Sequence, residues 1–325
     1  MADGSDEIQF RVCCMKQCIN ILCATDKNFV PYCGIMLTSL LENNRTECVS
    51  VYLIVDDTVK ESSLSQFQQL ASHYQQKLEF IHIDPSVFDR YPVYNTQWTS
   101  SIYYRLLAAE LLPKTVDKII YLDCDIIVTR SLREMWEIDV DNYAVGAVPD
   151  VWAPKSSVYE RLGLENDGRY FNSGSLILNL KYWREHQLSR QYIQYITDNF
   201  EKLWFNDQDT LNGVLYDQKL LLPVKYNFQV LFLDNTKFAT FDSAMQKNIS
   251  SEQNPLIIHY AASVKPWMVL YYKMPYLKEW RYYRNLSLWK NTPDKLPNKK
   301  LLRWLFKRYV LWPTGIVKGN EYMLR

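Results

Sequence analysis

The apolar runs CINILCA at residues 18–24, VSVYLIV at 49–55 and LEFIHI at 78–83 alternate with two amphipathic stretches near the start of the chain. Residues 31–42 (PYCGIMLTSLLE) and residues 60–76 carry apolar side chains at the spacing of a helix. Apolar runs of this length are typical of buried strands. Because strands that alternate with helices form parallel sheets with crossover helices, the sequence predicts an α/β fold.

The same alternation continues through the rest of the chain. A helix is predicted over Thr99 to Leu112 and a short strand over Ile119 to Leu122. Further strands are predicted at Tyr143–Val148, Ser175–Leu180 and Leu256–His259, and further helices at Trp183–Asn199 and Asp207–Val214. Pro293 and Pro297 then mark a hinge before a basic amphipathic helix at Leu301–Leu311.

Length and composition exclude several classes of protein. A chain of 325 residues with 48% hydrophobic residues can bury a large core, which excludes gross disorder. No uninterrupted apolar run approaches ~18 residues, so no transmembrane helix is predicted. The first ten residues include Asp3, Asp6 and Glu7 and no apolar stretch, unlike a secretory signal. These features predict a soluble, intracellular chain.

The net charge of +1 conceals a strong asymmetry. From Lys265 to Arg325 there are 14 basic and 3 acidic residues, whereas the first 264 residues hold 23 basic and 33 acidic residues. A basic segment that also holds 13 aromatic residues favours a partner with negative charge and an apolar interface, such as a membrane surface. Nucleic acid is disfavoured, because no nucleic-acid-binding motif accompanies the charge.

Seven cysteines stand at positions 13, 14, 18, 23, 33, 48 and 124. Six of them lie in the first 48 residues, but their spacing lacks paired C-x-x-C knuckles, which argues against a zinc cluster. An odd number of cysteines without a secretory signal favours reduced thiols.

Asp123 and Asp125 directly follow the predicted strand at 119–122. Ligands of α/β proteins bind at the carboxyl ends of strands, and residues two apart in extended chain project to the same side. Carboxylate oxygens suit Mg²⁺ or Mn²⁺, and His259, at the end of another predicted strand, would add a nitrogen ligand that favours Mn²⁺. Lys265 could place a positive charge on a diphosphate leaving group. Solvated loop aspartates and a core histidine are the alternative interpretation.

Several short motifs occur together and in a fixed order. They are Ala24-Thr25-Asp26, Arg105, Asp123-Cys124-Asp125, Phe171-Asn172-Ser173-Gly174, Asp207-Gln208-Asp209 and His259 with Lys265-Pro266-Trp267. With this set the chain resembles the retaining glycosyltransferases of family 8, and within them the bacterial lipopolysaccharide α-galactosyl- and α-glucosyltransferases. The resemblance runs from about Asn20 to Trp267. It implies one GT-A domain, whose mixed, mostly parallel sheet is flanked by helices.

The resemblance also implies a nucleotide site and a metal site. The residues that would line the nucleotide and phosphates of a UDP-sugar are Ala24, Thr25, Asp26, Cys124 and Ala262. The residues that would hold Mn²⁺, or Mg²⁺, against the diphosphate are Asp123, Asp125 and His259. The family usually has Gly where this chain has Ala262, and an aromatic hydroxyl where it has Phe29. Ala262 is compatible with the same loop only if its φ is negative.

The donor sugar and the reaction are assigned in the same way. The residues that would contact the donor sugar are Asn172, Asp207, Gln208 and Asp150. Arg105 would approach the sugar and the catalytic acids, and Lys265 would stabilise the departing diphosphate. Catalysis is therefore assigned to Gln208, Asp207, Arg105 and Lys265. Because an amide is a poor nucleophile, we expect retention by attack on the face from which the diphosphate leaves, rather than by a covalent intermediate on Gln208.

Three segments are predicted, namely a polar leader at 1–18, the catalytic domain at 19–268 and a basic, aromatic appendage at 269–325. A lipid-anchored acceptor, such as lipopolysaccharide core, would place the enzyme in the cytoplasm at the inner face of the cell membrane. The residues that could attract anionic headgroups or enter the interface are Lys295, Lys299, Lys300, Arg303, Trp304, Phe306, Lys307, Arg308, Tyr309 and Trp312. The alternative is a C-terminal helix that packs on the body with solvated charges.

Two other functions compete with a transferase. The run IIYLDCDIIV at 119–128 also resembles the start of a haloacid-dehalogenase-like phosphohydrolase, in which Asp123 would be the nucleophile and Asp125 the acid/base. That hypothesis leaves the later motifs unexplained and expects this strand near the start of its domain, whereas about a hundred residues of α/β pattern precede it. A catalytically silent sugar-nucleotide-binding module is the second alternative, and the complete set of metal ligands argues against it.

Overall fold

The computed structural model describes residues 17–88, 99–268, 274–296, 299–306, 310 and 314. Within these ranges ten strands form two sheets. The strands are β1 (Ile19–Thr25), β2 (Val49–Val55), β3 (Lys77–His82), β4 (Lys118–Leu122), β5 (Ile126–Val128), β6 (Val145–Pro149), β7 (Phe171–Asn179), β8 (Lys219–Leu221), β9 (Phe228–Gln229) and β10 (Ile257–His259).

Helices connect and flank these strands. The α-helices are α1 (Val30–Asn43), α2 (Glu61–His73), α3 (Ala108–Leu111), α4 (Arg133–Trp136), α5 (Ser156–Leu162), α6 (Leu180–Glu185), α7 (Leu188–Asn199), α8 (Asn206–Val214), α9 (Asn235–Phe238), α10 (Ser243–Ser251), α11 (Leu277–Leu286) and α12 (Lys299–Phe306). The 3₁₀ helices are Pro85–Phe88, Ser100–Leu107, Phe200–Lys202, Val224–Tyr226 and Val230–Leu233. Of the helices in the described ranges, none is long and apolar enough to cross a membrane.

The larger sheet has the strand order β3-β2-β1-β4-β7-β6-β8. Strands β3, β2, β1 and β4 run parallel to one another, and β6 runs parallel to β8. Only β7 is antiparallel to its neighbours β4 and β6 within this sheet. All nine residues of β7 are buried, as expected for a central strand covered on both faces. The mixed, mostly parallel sheet confirms the predicted α/β class.

The smaller sheet has the order β5-β10-β9 and begins where β4 leaves the larger one. The chain passes from β4 through residues 123–125 directly into β5. Strand β10 is antiparallel to β5, with His259 opposite Ile126. Residues 123–125 therefore lie at the junction of the two sheets, and His259 is brought to the same place.

Most predicted elements exist, and their ends differ for physical reasons. Strand β2 has its predicted bounds. The helix predicted at Trp183–Asn199 is two helices, α6 and α7, because Gln187 has a φ of 51°, in the left-handed region that interrupts a helix. The helix predicted at Thr99–Leu112 is a 3₁₀ helix followed by the short α3. The basic helix predicted at Leu301–Leu311 begins at Lys299 and is described as far as Phe306.

The prediction of reduced cysteines is wrong for one pair. Cys18 and Cys48 form a disulfide, with their Cα atoms 4.6 Å apart. Each cysteine directly precedes a strand, and Ile19 pairs with Val49 in the parallel β1–β2 ladder, so the register brings the two sulfurs together. Cys23, Cys33 and Cys124 have free thiols, and Cys13 and Cys14 lie outside the described residues.

The first part of the predicted appendage packs on the catalytic domain. Helix α11 lies against α1, where the Asn43 side chain donates a hydrogen bond to the Tyr283 hydroxyl at 2.6 Å. The Trp289 ring covers Gly34 and lies 5.0 Å from the Phe67 ring, centroid to centroid. The glycine matters here, because a Cβ at position 34 would come within 2.1 Å of the Trp289 ring. Residues 274–296 are therefore anchored to the body.

Candidate active site

Three potential metal ligands converge at the junction of the two sheets. One ligand atom each from Asp123, Asp125 and His259 lie within 4.8 Å of one another, and His259 Nε2 is 3.2 Å from Asp125 Oδ1. The backbone amide of Tyr260 donates to the Asp125 carbonyl at 3.0 Å, which ties the end of β10 to the aspartate loop. Two carboxylates and one imidazole fit a Mn²⁺ or Mg²⁺ ion, as the sequence predicted.

Gly174 is the residue that lets these ligands approach. It lies in β7, and its carbonyl accepts a hydrogen bond from the Asp123 amide at 2.8 Å. A Cβ at this position would lie 2.2 Å from His259 Cε1 and 2.8 Å from Asp123 Oδ2. Because real side chains do not approach that closely, only glycine fits beside this ligand set.

Asn227 orients the imidazole of His259. Its side chain is fully buried, and Nδ2 donates to Asn172 Oδ1 at 2.9 Å. Asn227 Oδ1 is therefore left to accept from His259 Nδ1 at 2.8 Å. With its proton on Nδ1, the ring would leave Nε2 free to bind a metal ion together with Asp125.

Arg105 connects the metal-ligand group to the acidic residues of α8. Its Nη2 is 2.8 Å from Asp123 Oδ1, and its Nε is 3.3 Å from Asp207 Oδ2. Nη1 donates to the Ser173 carbonyl at 2.9 Å, and the guanidinium carbon lies 4.2 Å from the centroid of the Tyr121 ring. This buried cation therefore holds β4, β7 and α8 in one arrangement, and it lies beside the acids as expected.

Amide and carboxylate groups form a cluster next to Arg105. Gln208 Oε1 accepts from the Ser173 amide at 3.1 Å and from Asn172 Nδ2 at 3.2 Å. Asn172 Nδ2 also donates to Asp150 Oδ2 at 2.8 Å, and the Trp152 amide donates to Asp150 Oδ1 at 2.8 Å. The structure thus brings together the four residues expected to contact a donor sugar, since Asp207 reaches the same cluster through Arg105.

Lys265 contacts the metal-ligand group directly. Its ammonium forms an ion pair with Asp125 and donates to the Tyr260 carbonyl at 3.0 Å. Burial alone would raise the pKa of Asp125, but Lys265 and His259 more than offset it and hold that pKa well below its usual range. Asp125 therefore stays ionised and able to bind a cation, and Lys265 places a positive charge beside the three potential metal ligands.

Two other acids titrate at higher pH than usual. Burial raises the pKa of Asp207 to about 6, although Arg105 opposes the shift. Burial also raises the pKa of Asp150, against the hydrogen bond from Asn172. Such shifts are common in sites where charge is rearranged during a reaction.

The residues expected to line the nucleotide at the start of the chain lie at the end of β1. Asp26 Oδ1 accepts from the backbone amides of Asn28 and Phe29 at 2.7 and 3.2 Å, and Thr99 donates to Asp26 Oδ2 at 2.5 Å. The Cys124 thiol donates to the Ala24 carbonyl at 3.2 Å, which links the end of β1 to the aspartate loop. Thr25 is buried beside them.

Ala262 adopts a backbone conformation that its methyl group allows. The described non-glycine residues with positive φ are Gln75, Gln187, Asn206 and Tyr276, so Ala262 has negative φ. Its amide donates to the Tyr260 carbonyl at 2.7 Å. Alanine is therefore compatible with the backbone at this position, where the family usually has glycine.

Sequence reasoning missed several residues of the site. Tyr121 donates to Asp123 Oδ1 at 2.8 Å, and its position two residues before Asp123 on a strand could have revealed the contact. Asn227 precedes a strand of only two residues, and no sequence pattern points to it. Asp209 belongs to one of the motifs, but the sequence assigns no role to it or to Tyr170, which connects Asp209 to Gln208.

Comparisons with known proteins agree with this architecture. The model of Glycosyl transferase family 8 matches residues 20–270. A lipopolysaccharide 1,2-glucosyltransferase of Escherichia coli is 31% identical over 290 residues, which cover 88% of this chain and 83% of that protein. General stress protein A of Bacillus subtilis is 26% identical over 284 residues, which cover 86% of this chain and 98% of that protein.

Among solved structures, the galactosyltransferase LgtC in complex with donor and acceptor sugar analogues is similar, with a TM-score of 0.73 at 20% identity. The similarity covers 88% of this chain and 100% of that one. The fold is therefore that of the GT-A glycosyltransferases. With its match over residues 20–270, the chain belongs to glycosyl transferase family 8.

Proposed function

We propose that this glycosyltransferase moves glucose or galactose from a UDP-sugar to a saccharide acceptor with retention of anomeric configuration. The observation that carries the proposal is the cluster of Asp123, Asp125 and His259 beside Lys265 at the junction of the two sheets. A divalent cation held by those three ligands would supply Lewis-acid neutralisation of the diphosphate. Mn²⁺ suits the mixed oxygen and nitrogen set best, and Mg²⁺ is the alternative.

The protein's own groups support the departure of the diphosphate. Breaking the bond between the anomeric carbon and the phosphate oxygen leaves positive charge on the sugar and negative charge on the phosphates. Lys265 offers a cation on the phosphate side, and a charge already fixed in place stabilises a transition state without reorganisation. Asn172, Gln208 and Asp150 form a hydrogen-bonding surface that could orient sugar hydroxyls.

The cluster favours attack on the same face from which the diphosphate leaves. The Gln208 oxygen belongs to an amide and already accepts two hydrogen bonds. The nearest acid on α8, Asp207, is paired with Arg105. Neither group is a strong free nucleophile, so a direct route that avoids a glycosyl-enzyme intermediate fits these contacts best.

The acceptor proposal rests on relatives and on the C-terminal segment. The Escherichia coli relative is named for lipopolysaccharide, so we propose lipopolysaccharide core or another surface glycan as acceptor. The described part of the C-terminal segment supports attachment to the inner membrane face, because its large apolar side chains are exposed at Leu286, Leu288, Leu296, Leu302 and Phe306. At ~1 kcal/mol per basic residue near an anionic surface, several Lys and Arg residues would add useful attraction.

Lys295, one of the residues expected at the membrane surface, contacts the catalytic domain instead. Its ammonium lies 5.0 Å from the centroid of the Tyr32 ring and donates to the Asn28 carbonyl at 3.4 Å. The side chains of Lys300 and Trp304, and residues 307–309 and 312, lie outside the described residues.

Sedimentation with lipid vesicles tests the proposed membrane attachment. We expect the protein to sediment with anionic vesicles but not with zwitterionic ones. Equal sedimentation with both would contradict an electrostatic attachment.

The first experiment is release of UDP from a panel of UDP-sugars, with Mn²⁺ and then with EDTA. We expect slow hydrolysis of one UDP-hexose that stops in EDTA and in Asp125→Ala. Asp141→Ala, which removes an exposed carboxylate, is the matched control and should retain the activity. If Mn²⁺ and UDP together raise the melting temperature but no donor turns over with or without saccharide acceptors, the protein is a silent binding module instead. If they do not even raise the melting temperature, the transferase proposal fails.

A further inference from the structure

A chain of buried polar side chains lies behind Gln208. Arg161 Nη1 and Nη2 hold the two carboxylate oxygens of Asp209 at 2.8 and 3.0 Å. Asp209 also accepts from the Tyr170 hydroxyl at 2.6 Å and from the Phe205 amide at 2.7 Å. Each oxygen of Asp209 thus has two donors, and the residue is fully buried. It acts on the site through its neighbours rather than by contact with a substrate.

The hydrogen bond between Tyr170 and Asp209 has only one possible direction. A carboxylate held by a guanidinium accepts hydrogen bonds and cannot donate them. Burial raises the pKa of Tyr170 well above its usual value, so its hydroxyl keeps the proton that it donates to Asp209. The phenolic oxygen remains as an acceptor, and it lies 3.2 Å from Gln208 Nε2.

This direction and the Ser173 amide together determine which way the Gln208 amide faces. Nε2 must point to the accepting oxygen of Tyr170, and Oε1 then faces two donors, the Ser173 amide and Asn172 Nδ2. A flipped amide would place Nε2 against two other donors, the Ser173 amide and Asn172 Nδ2. Buried polar groups would then lack partners, which costs stability. We propose that Asp209, acting through Tyr170, sets the amide orientation of Gln208 and so the group that Gln208 presents to the donor sugar.

The same orientation continues towards the metal ligands. Asn172 Nδ2 is committed to Gln208 and Asp150, so Asn172 Oδ1 faces the Gly174 amide at 3.0 Å and Asn227 Nδ2. Asp209 and Tyr170 are therefore positioning residues for the reaction stated under the proposed function, on which this inference rests. Their replacement should affect the catalytic step more than the binding of the nucleotide, because their side-chain hydrogen bonds connect to Gln208 and to Arg161.

Tyr170→Phe tests this inference, since it removes one hydroxyl and keeps the ring. We expect kcat for turnover of the UDP-sugar to fall about 10-fold, the scale of one lost buried hydrogen bond, with KM for the donor changed by less than ~2-fold. Tyr192→Phe is the matched control, because Tyr192 is equally buried and its hydroxyl has no hydrogen-bond partner among the described residues. Equal kcat values in the two variants, or an effect on KM alone, would overturn the inference.

A second measurement does not depend on activity. In protein labelled with ¹⁵N only in glutamine side chains, the signal of Gln208 is identified by its absence in Gln208→Glu. We expect that signal to move in Tyr170→Phe and to stay in place in Tyr192→Phe. An unmoved signal in Tyr170→Phe would overturn the inference. If the wild type turns over no UDP-sugar, the proposed function fails, and the NMR comparison still decides whether the Tyr170 hydroxyl holds the Gln208 amide.

Discussion

The imidazole of His259 lies directly against the backbone of Gly174, with no room for a side chain between them. A Cβ at position 174 would reach within 2.2 Å of Cε1 and 2.9 Å of Nδ1 of the ring. A central strand of the larger sheet therefore forms one wall of the metal-ligand group, although the histidine belongs to the smaller sheet. The position of the ligand thus depends on how the two sheets are joined.

Replacement of Gly174 by alanine should weaken metal binding. The methyl group must displace either His259 or Asp123, so we expect Mn²⁺ affinity to fall at least ~10-fold and stability to fall by about 1–3 kcal/mol. Calorimetric titration with Mn²⁺ and chemical denaturation measure the two effects. Gly146→Ala is the control, because a Cβ in that strand meets its nearest atoms at 3.4 Å, an ordinary contact. Wild-type Mn²⁺ affinity in Gly174→Ala would contradict the steric argument.

Asn227 should affect metal binding indirectly, through its hydrogen bond to the His259 ring. Loss of its hydrogen bond to His259 Nδ1 frees the ring to rotate or change tautomer, so Asn227→Ala should weaken Mn²⁺ binding by roughly 10–100-fold. Asn227→Asp keeps an acceptor for Nδ1 and should lose less affinity than Asn227→Ala. Titration of the free Mn²⁺ signal by electron paramagnetic resonance measures both. Equal affinities in the wild type and Asn227→Ala would rule out this role.

The buried acid Asp207 should make the stability of the metal-free protein depend on pH. Its pKa rises from 3.8 to about 6 on folding, so between these values the folded state holds a proton that the unfolded state releases. The contribution of Asp207 to the free energy of unfolding is therefore fully present below pH ~4. It decreases by up to about 3 kcal/mol as the pH rises through ~6. Asp207→Asn should remove that decrease, whereas Asp198→Asn, at an exposed position, should keep it. Parallel slopes of stability against pH in all three proteins would contradict the raised pKa.

The disulfide between Cys18 and Cys48 should contribute measurably to stability. It closes a loop with a sequence separation of 30, for which chain entropy predicts about 3.6 kcal/mol. We expect dithiothreitol to lower the stability of the wild type by about that amount and to leave the double variant Cys18→Ser, Cys48→Ser unchanged. If dithiothreitol does not affect the wild type, the two thiols are not joined in the protein as prepared.

The sequence predicted the fold where elements are long and their patterns regular. Strands β1 to β4 and helices α1 and α2 have apolar runs or helical spacing, and all were expected near their observed positions. Strands β5, β8 and β9 have two or three residues, too few for any periodicity. Helix α11 was not predicted, because its segment is rich in basic residues. Its buried side chains are Leu277, Trp280 and Tyr283.

The site was predictable as a set of motifs but not as a network. Asp123, Asp125 and His259 follow or end apolar strands, so their meeting at strand ends could be expected. The residues that orient them come from positions without a pattern, such as Asn227, and only the folded chain reveals the contact. The disulfide could have been inferred, because Cys18 and Cys48 occupy the same position before two strands that were both predicted.

The packing of residues 274–296 determines where the chain can be shortened. Trp289 fills the space above Gly34, and Tyr283 is bonded to Asn43, so a chain cut after Trp267 would strip one side of α1. Because α1 begins four residues after Asp26, one of the residues expected to line the nucleotide, such a truncation should impair the enzyme for reasons unrelated to membranes. A chain that ends at Leu296 keeps this cover and lacks α12, so catalysis can be measured in it apart from any contribution of α12.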